Sequence, residues 1–165
     1  MNDVSLESRL VAKLKTLGYH ISAAESVSGG LLAARITSVP GASDVFSEGF
    51  VTYSTEAKIK HLSVKPSIIE RHGIVSVDVA RAMVEGLFKA TKAEVCVALT
   101  GYAGPSGGDV THPLGTVCFG YAILGFVSNE AVLFQGDRES IRSQAVQHAL
   151  NHLLSLLEGS HESST

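Results

Sequence analysis

Residues Val95-Cys96-Val97-Ala98-Leu99 form an unbroken apolar run with no polar alternation. Successive side chains of a strand point to opposite faces, so a strand with one wet face alternates apolar and polar residues. A run without alternation has to be covered on both faces. The stretch from Glu94 to Thr100 therefore predicts a central strand with helices above and below it.

The flanking segments supply those helices. Leu6, Leu10, Leu14 and Leu17 recur at helical spacing over 5–17, with Gly18 as the stop. Residues 28–38 predict a second helix with Leu31, Leu32 and Ile36 inward, ended by Pro40-Gly41. Thr55 to Leu62 predicts a short helix, and Pro66 to Arg71 a further helical turn with Pro66 in a first-turn position. Ser76 predicts the N-cap of a helix reaching about residue 91, striped by Val79, Met83, Leu87 and Ala90. Asp137 predicts the cap of a last helix with Ile141, Ala145, Ala149, Leu153 and Leu157 on one face.

The remaining strands are expected at His20 to Ala24, at Phe46 to Tyr53, and at 115–123 and 130–135. The last two are joined as a hairpin by a turn near Gly125–Asn129. This order predicts one α/β domain, a three-layer α/β/α sandwich around a mixed sheet. The length of 165 residues suits a single core. The domain is expected over 1–158, with 159–165 as a polar, frayed tail.

Composition excludes several classes of function. The chain is 45% hydrophobic and 18% charged, so it can bury a core. Its net charge is −3 and its Lys and Arg are scattered singly, which argues against nucleic acid as the main partner. No apolar run approaches the ~20 residues that a membrane helix needs. The opening MNDVSLESRL does not read as a signal peptide, so a cytoplasmic location is expected. Cys96 and Cys118 each lie in a strand-like run; buried free thiols are expected, with a bridge between neighbouring strands as the alternative.

Two stretches carry candidate chemistry. Ala24-Glu25-Ser26-Val27-Ser28-Gly29-Gly30 lies between a predicted strand and a predicted helix, and Tyr53-Ser54-Thr55-Glu56-Ala57-Lys58 follows about thirty positions later. Amide hydrolysis needs a nucleophile, a base for its proton, and donors for the developing oxyanion. Lysine serves as the base only when burial or nearby positive charge lowers its pKa. Serine–lysine pairs are an accepted variant of the serine–histidine arrangement. In this reading Ser26 attacks, Lys58 takes its proton, Tyr53 stands beside them, and amides of the Val27–Gly30 turn face the oxyanion. In the competing reading Ser28 is an ordinary N-cap, Gly29-Gly30 a turn and Lys58 a solvated lysine. Glu25 is expected to turn away from the Ser26 hydroxyl and to hold the loop or Lys58.

Thr100 to Gly108 is a glycine-rich loop after the central strand, where ligands gather in open α/β sheets. Its exposed amides suit a phosphate or ribose. No G-K-[ST] follows, so it is not a P-loop, and it is not G-x-G-x-x-G. A plain surface loop is the other reading of these residues. Arg138 and Arg142 are one helical turn apart and are expected to face the same way, toward a substrate phosphate, acidic groups or a neighbouring subunit. His148 and His152 stand at i, i+4, but H-A-L-N-H lacks the glutamate of H-E-x-x-H. A solvated helix face is expected there, and no metal.

Six motifs occur in order: A-A-E-S-V-S-G-G-L-L-A-A-R-I-T, G-F-V-T-Y-S-T-E-A-K, R-H-G-I-V-S, T-G-Y-A-G-P-S-G-G, H-P-L-G-T-V and G-D-R-E-S-I-R. From about residue 5 to residue 157 the chain resembles the CinA C-terminal domain family, which includes stand-alone nicotinamide-nucleotide amidases. The resemblance implies hydrolysis of nicotinamide mononucleotide to nicotinic acid mononucleotide and ammonia, in pyridine-nucleotide recycling. It implies Ser26 as nucleophile, Lys58 as general base and Tyr53 as the assisting tyrosine. It favours a pocket wall built from Thr100, Gly101, Tyr102, Ala103, Gly104 and Pro105. With Ser28, Gly29, Gly30 and Arg138 these are the candidate substrate-binding residues. No cofactor is implied, and a homo-oligomer is. The family usually reads E-S-C-T-G-G, where this chain has Val27 and Ser28; Thr55 replaces a usual asparagine, and Tyr102 a common isoleucine. A non-catalytic nucleotide-binding or regulatory module of the same fold is the alternative function.

Overall fold

The structure is a computed structural model, and it describes residues 3–159. Among the described residues, six helices and five strands run in the order α1 (Leu6–Leu17), β1 (Ile21–Glu25), α2 (Leu31–Thr37), β2 (Phe50–Val51), α3 (Thr55–Leu62), α4 (Pro66–His72), α5 (Val77–Thr91), β3 (Val95–Gly101), β4 (Thr116–Ile123), β5 (Phe126–Leu133) and α6 (Arg138–Gly159). A short 3-10 turn, Ala42–Asp44, follows α2. The expected frayed tail lies outside the described residues from residue 160 onward.

The strands form one sheet in the order β2-β1-β3-β4-β5. β1 runs parallel to β2 and β3, while β3, β4 and β5 alternate antiparallel, so the sheet is mixed. β3 is central, and its residues from Val95 to Thr100 are buried. Its odd-numbered side chains, Val95, Val97 and Leu99, join a core with α1, α2 and α6. Its even-numbered Cys96 and Ala98 join a second core that includes Met83, Val84 and Leu87 of α5. The alternation that sends neighbouring side chains to opposite faces thus makes three layers from one apolar run. Cys96 and Cys118 are both buried and free, and burial pushes each thiol up to about 11.

Helix starts follow the predicted caps at Ser76 and Asp137, and Ser54 caps α3 in the same way. Ser54 Oγ accepts the Ala57 amide at 3.0 Å, Ser76 Oγ the Val79 amide at 3.1 Å, and Asp137 Oδ1 the Ser140 amide at 2.9 Å. Each such cap is worth about 1 kcal/mol. α3 meets α5 backbone to backbone: a Cβ on Gly86 would sit 1.8 Å from the Leu62 carbonyl oxygen.

Three expectations are corrected. The strand expected over Phe46 to Tyr53 pairs only at Ala24↔Phe50 and Glu25↔Val51, with one isolated bridge at Ile21↔Phe46. Ser22 Oγ donates to the Glu48 carbonyl at 2.7 Å, a group that continuous pairing would have used otherwise. The hairpin turn is Leu124-Gly125, so β5 starts at Phe126. Both turn residues have positive φ (52° and 83°), the geometry that matches strand twist in a two-residue loop. α2 starts at Leu31 and not at residue 28, because Gly29 and Gly30 are left-handed (φ 59° and 104°). Among the described residues, no helix is long and apolar enough to cross a membrane.

Candidate active site

β1 ends at Glu25, and the side chains of Glu25 and Ser26 take different partners. The Glu25 carboxylate is buried and accepts the amides of Leu32 at 2.7 Å and Ala33 at 3.1 Å. It caps α2 from the preceding strand, where a negative charge meets the positive end of the helix dipole. Ser28 therefore does not cap this helix. The cap position is Gly30, and the buried Ser28 Oγ has no hydrogen-bond partner among the described residues.

The Ser26 amide donates to the Leu99 carbonyl at 3.1 Å, which ties the residue to the central strand. Its hydroxyl meets Lys58 Nζ at 3.0 Å. Lys58 lies on the first turn of α3, is only 1% exposed, and also donates to the Thr52 carbonyl at 2.7 Å. The Tyr53 carbonyl is a longer contact at 3.5 Å. Lys58 is therefore not a solvated lysine. Burial penalises its charged form and lowers its pKa to about 8.

The lysine's partners settle what a neutral Nζ can do. A carbonyl only accepts, so Thr52 and Tyr53 take its N–H groups. The lone pair is then left for the Ser26 hydroxyl, which is the geometry for moving a proton from oxygen to nitrogen.

A cavity of about 200 Å³ opens over this pair at the carboxyl ends of β1 and β3. The candidate residues Ser26, Tyr53, Lys58, Thr100, Gly101, Tyr102, Ala103 and Arg138 line it, joined by Val27, Ile74 and Val75, which lie within the motifs but are not among the candidate site residues. Thr100 Oγ1 donates to the Ile74 carbonyl at 3.0 Å, joining the loop after α4 to the central strand. Tyr53 is 61% exposed, and its hydroxyl accepts from Arg138 Nη2 at 2.9 Å instead of reaching Lys58. Arg138 Nη1 donates to the Gly104 carbonyl at 2.8 Å. Ser28, Gly29, Gly30, Gly104 and Pro105 do not line this cavity. The Gly29 amide turns back to the Ser26 carbonyl at 3.0 Å and shapes the turn.

A family model, the CinA C-terminal domain, matches residues 3–157. The chain belongs to the CinA C-terminal domain family. A CinA-like protein of Syntrophobacter fumaroxidans is 44% identical over 149 residues, which is 90% of this chain and 35% of that protein. The chain thus spans about a third of the length of such curated relatives. Among solved structures, a competence or damage-inducible protein from Enterobacter asburiae superposes with a TM-score of 0.90 at 34% identity, covering 94% of this chain and 99% of the other. A CinA superfamily protein from Escherichia coli does so with a TM-score of 0.89 at 38% identity, covering 92% and 88%.

Within this CinA domain, one residue beside the site is more closely engaged than its motif suggests. Arg142 Nε donates to the Val27 carbonyl at 3.1 Å and its Nη2 to the Ser28 carbonyl at 3.0 Å. It grips the backbone just after Ser26, while Arg138, one turn earlier, lines the cavity. The signal was their i, i+4 spacing, but spacing cannot show that one partner would be main-chain oxygen. His148 and His152 are also not a solvated face: their rings lie 4.9 Å from Phe119 and 4.5 Å from Tyr121, between α6 and the sheet.

Proposed function

We propose that this CinA domain is an amidohydrolase that converts nicotinamide mononucleotide to nicotinic acid mononucleotide and ammonia, in pyridine-nucleotide recycling. The observation that carries the reading is the 3.0 Å contact between Ser26 Oγ and a buried Lys58 whose pKa is lowered to about 8. Neutral Lys58 takes the Ser26 proton as Oγ attacks the carboxamide carbon. Of the turn after Ser26, Val27 lines the cavity, and its amide is the donor nearest the developing oxyanion, while the Lys58 proton passes to the departing ammonia. Water then attacks the acyl-enzyme with Lys58 again as base, and Ser26 recovers its proton. Arg138 faces the substrate from the cavity rim and is the cation placed to meet an anionic part of a nucleotide.

The test is ammonia release from nicotinamide mononucleotide by the purified chain. Wild type turns it over and Ser26→Ala loses at least about 1000-fold, the scale on which a nucleophile matters. An active Ser26→Ala variant removes the assigned nucleophile. A wild type that binds the nucleotide without turnover replaces the enzyme with a binding module.

A further inference from the structure

We propose that Glu130, His148 and His152 form a site for one divalent transition-metal ion of the zinc type, which staples the edge strand β5 to helix α6. His148 and His152 occupy one face of α6, with rings nearly parallel (9°) and centroids 6.0 Å apart. Glu130 reaches them from β5, and the ligand atoms of all three residues lie within 4.8 Å of one another. Small side-chain rotations bring such a set around one ion at the ~2.0–2.2 Å of zinc–nitrogen and zinc–oxygen bonds.

The chemistry of the donors selects the ion. Two imidazoles and one carboxylate suit zinc and its first-row neighbours, whereas calcium and magnesium need oxygen ligands in greater number. Three protein ligands also leave a position for water.

The surroundings support the carboxylate. Tyr121 is only 1% exposed, and its hydroxyl donates to Glu130 Oε1 at 2.9 Å. That is an outer hydrogen bond of the kind that orients a metal-binding carboxylate. His148 Nε2 already meets the same oxygen at 2.5 Å. The ring of His148 is held by Phe119 and that of His152 by Tyr121. An ion has a way in, because the Glu130 and His148 side chains are 29% and 30% exposed and His148 lines a groove with Phe134, Gln144 and Asn151. The site is separate from Ser26 and Lys58, neither of which it touches.

The experiment titrates the chelator-treated full chain with zinc chloride alone, by calorimetry and by thermal melting. Wild type binds about one ion per chain and melts at a higher temperature with zinc. His152→Gln and Glu130→Gln each weaken binding at least about tenfold and lose the zinc-dependent melting shift. Circular dichroism of the metal-free variants establishes that they fold. If either variant is unfolded, cobalt titration of wild type replaces it, with imidazole-ligated d–d absorption bands expected. The proposal is overturned if wild type takes up no zinc, if both substitutions leave affinity unchanged, or if cobalt gives only the spectrum of the aqueous ion.

Discussion

The Thr52 carbonyl lies 2.7 Å from Lys58 Nζ, closer than the Ser26 hydroxyl at 3.0 Å. Thr52 is the last residue before Tyr53, and its own amide is held by the Glu25 carbonyl at 2.8 Å. The orientation of the lysine is therefore set by main chain next to β1, the same strand that delivers Ser26.

The first prediction concerns the pH profile of ammonia release. Only neutral Lys58 can accept the Ser26 proton, and its pKa is about 8. The rate constant kcat/KM is expected to rise with pH, with a midpoint near that value, and to level off above it. A pH–rate series on nicotinamide mononucleotide checks this, and a profile flat from pH 6 to 9 contradicts it.

The second concerns stability. Folding lowers the Lys58 pKa from 10.5 to about 8. Between those values the unfolded chain binds the extra proton, so stability rises with pH there. Below about pH 8 the folded state carries the full penalty of a buried charge, on the order of 3 kcal/mol. Lys58→Met removes that titration. Urea denaturation at pH 7.5 and pH 10 should show wild type gaining on the variant at the higher pH. A constant difference between the two would contradict it.

The third concerns Arg142. Arg142→Ala frees the Val27 and Ser28 carbonyls and loosens the backbone after Ser26. The expected result is a fall in kcat of about 10- to 100-fold with little change in KM, since misplacing a reacting group by an ångström costs about that much. Arg142→Lys should restore only part, because an ammonium cannot span both oxygens with a rigid fork. Steady-state kinetics decide it, and a rise in KM alone would mark Arg142 as a substrate contact instead.

The fourth concerns Gly86. Alanine there drives a Cβ into the Leu62 backbone, and α3 has to move. Gly86→Ala is expected to cost about 3 kcal/mol in urea denaturation and to reduce the activity of the protein that remains folded, because Lys58 travels with α3. A variant as stable as wild type would show that α3 yields without effort.

What the sequence made legible depended on local signals. The apolar run of β3, the leucine spacing of α1 and the Ser76 and Asp137 caps all act within a few residues of themselves, and each can be read where it stands. The Ser26 and Lys58 stretches were legible as residue types, but only the fold could bury the lysine. Long-range partners were not legible. Glu25 caps a helix through an amide seven residues later, across a glycine turn, so its role hides behind the nearer Ser28. Glu130 comes to His148 from another element, so a search for glutamate between the two histidines could not find it. Leu124-Gly125 was hidden differently: leucine is a poor indicator of positive φ, and the polar Ser128-Asn129 drew the turn into what is an exposed edge strand.

The hydrogen bond from the Ser26 amide to Leu99 has one more consequence. Stability is uneven across a protein, and a central strand belongs to the part that opens last. The amide proton of Ser26 is thereby placed among the slowest to exchange with solvent, although its hydroxyl faces an open cavity. The Ser26 hydroxyl is thus offered to the cavity from a backbone that keeps its register with β3.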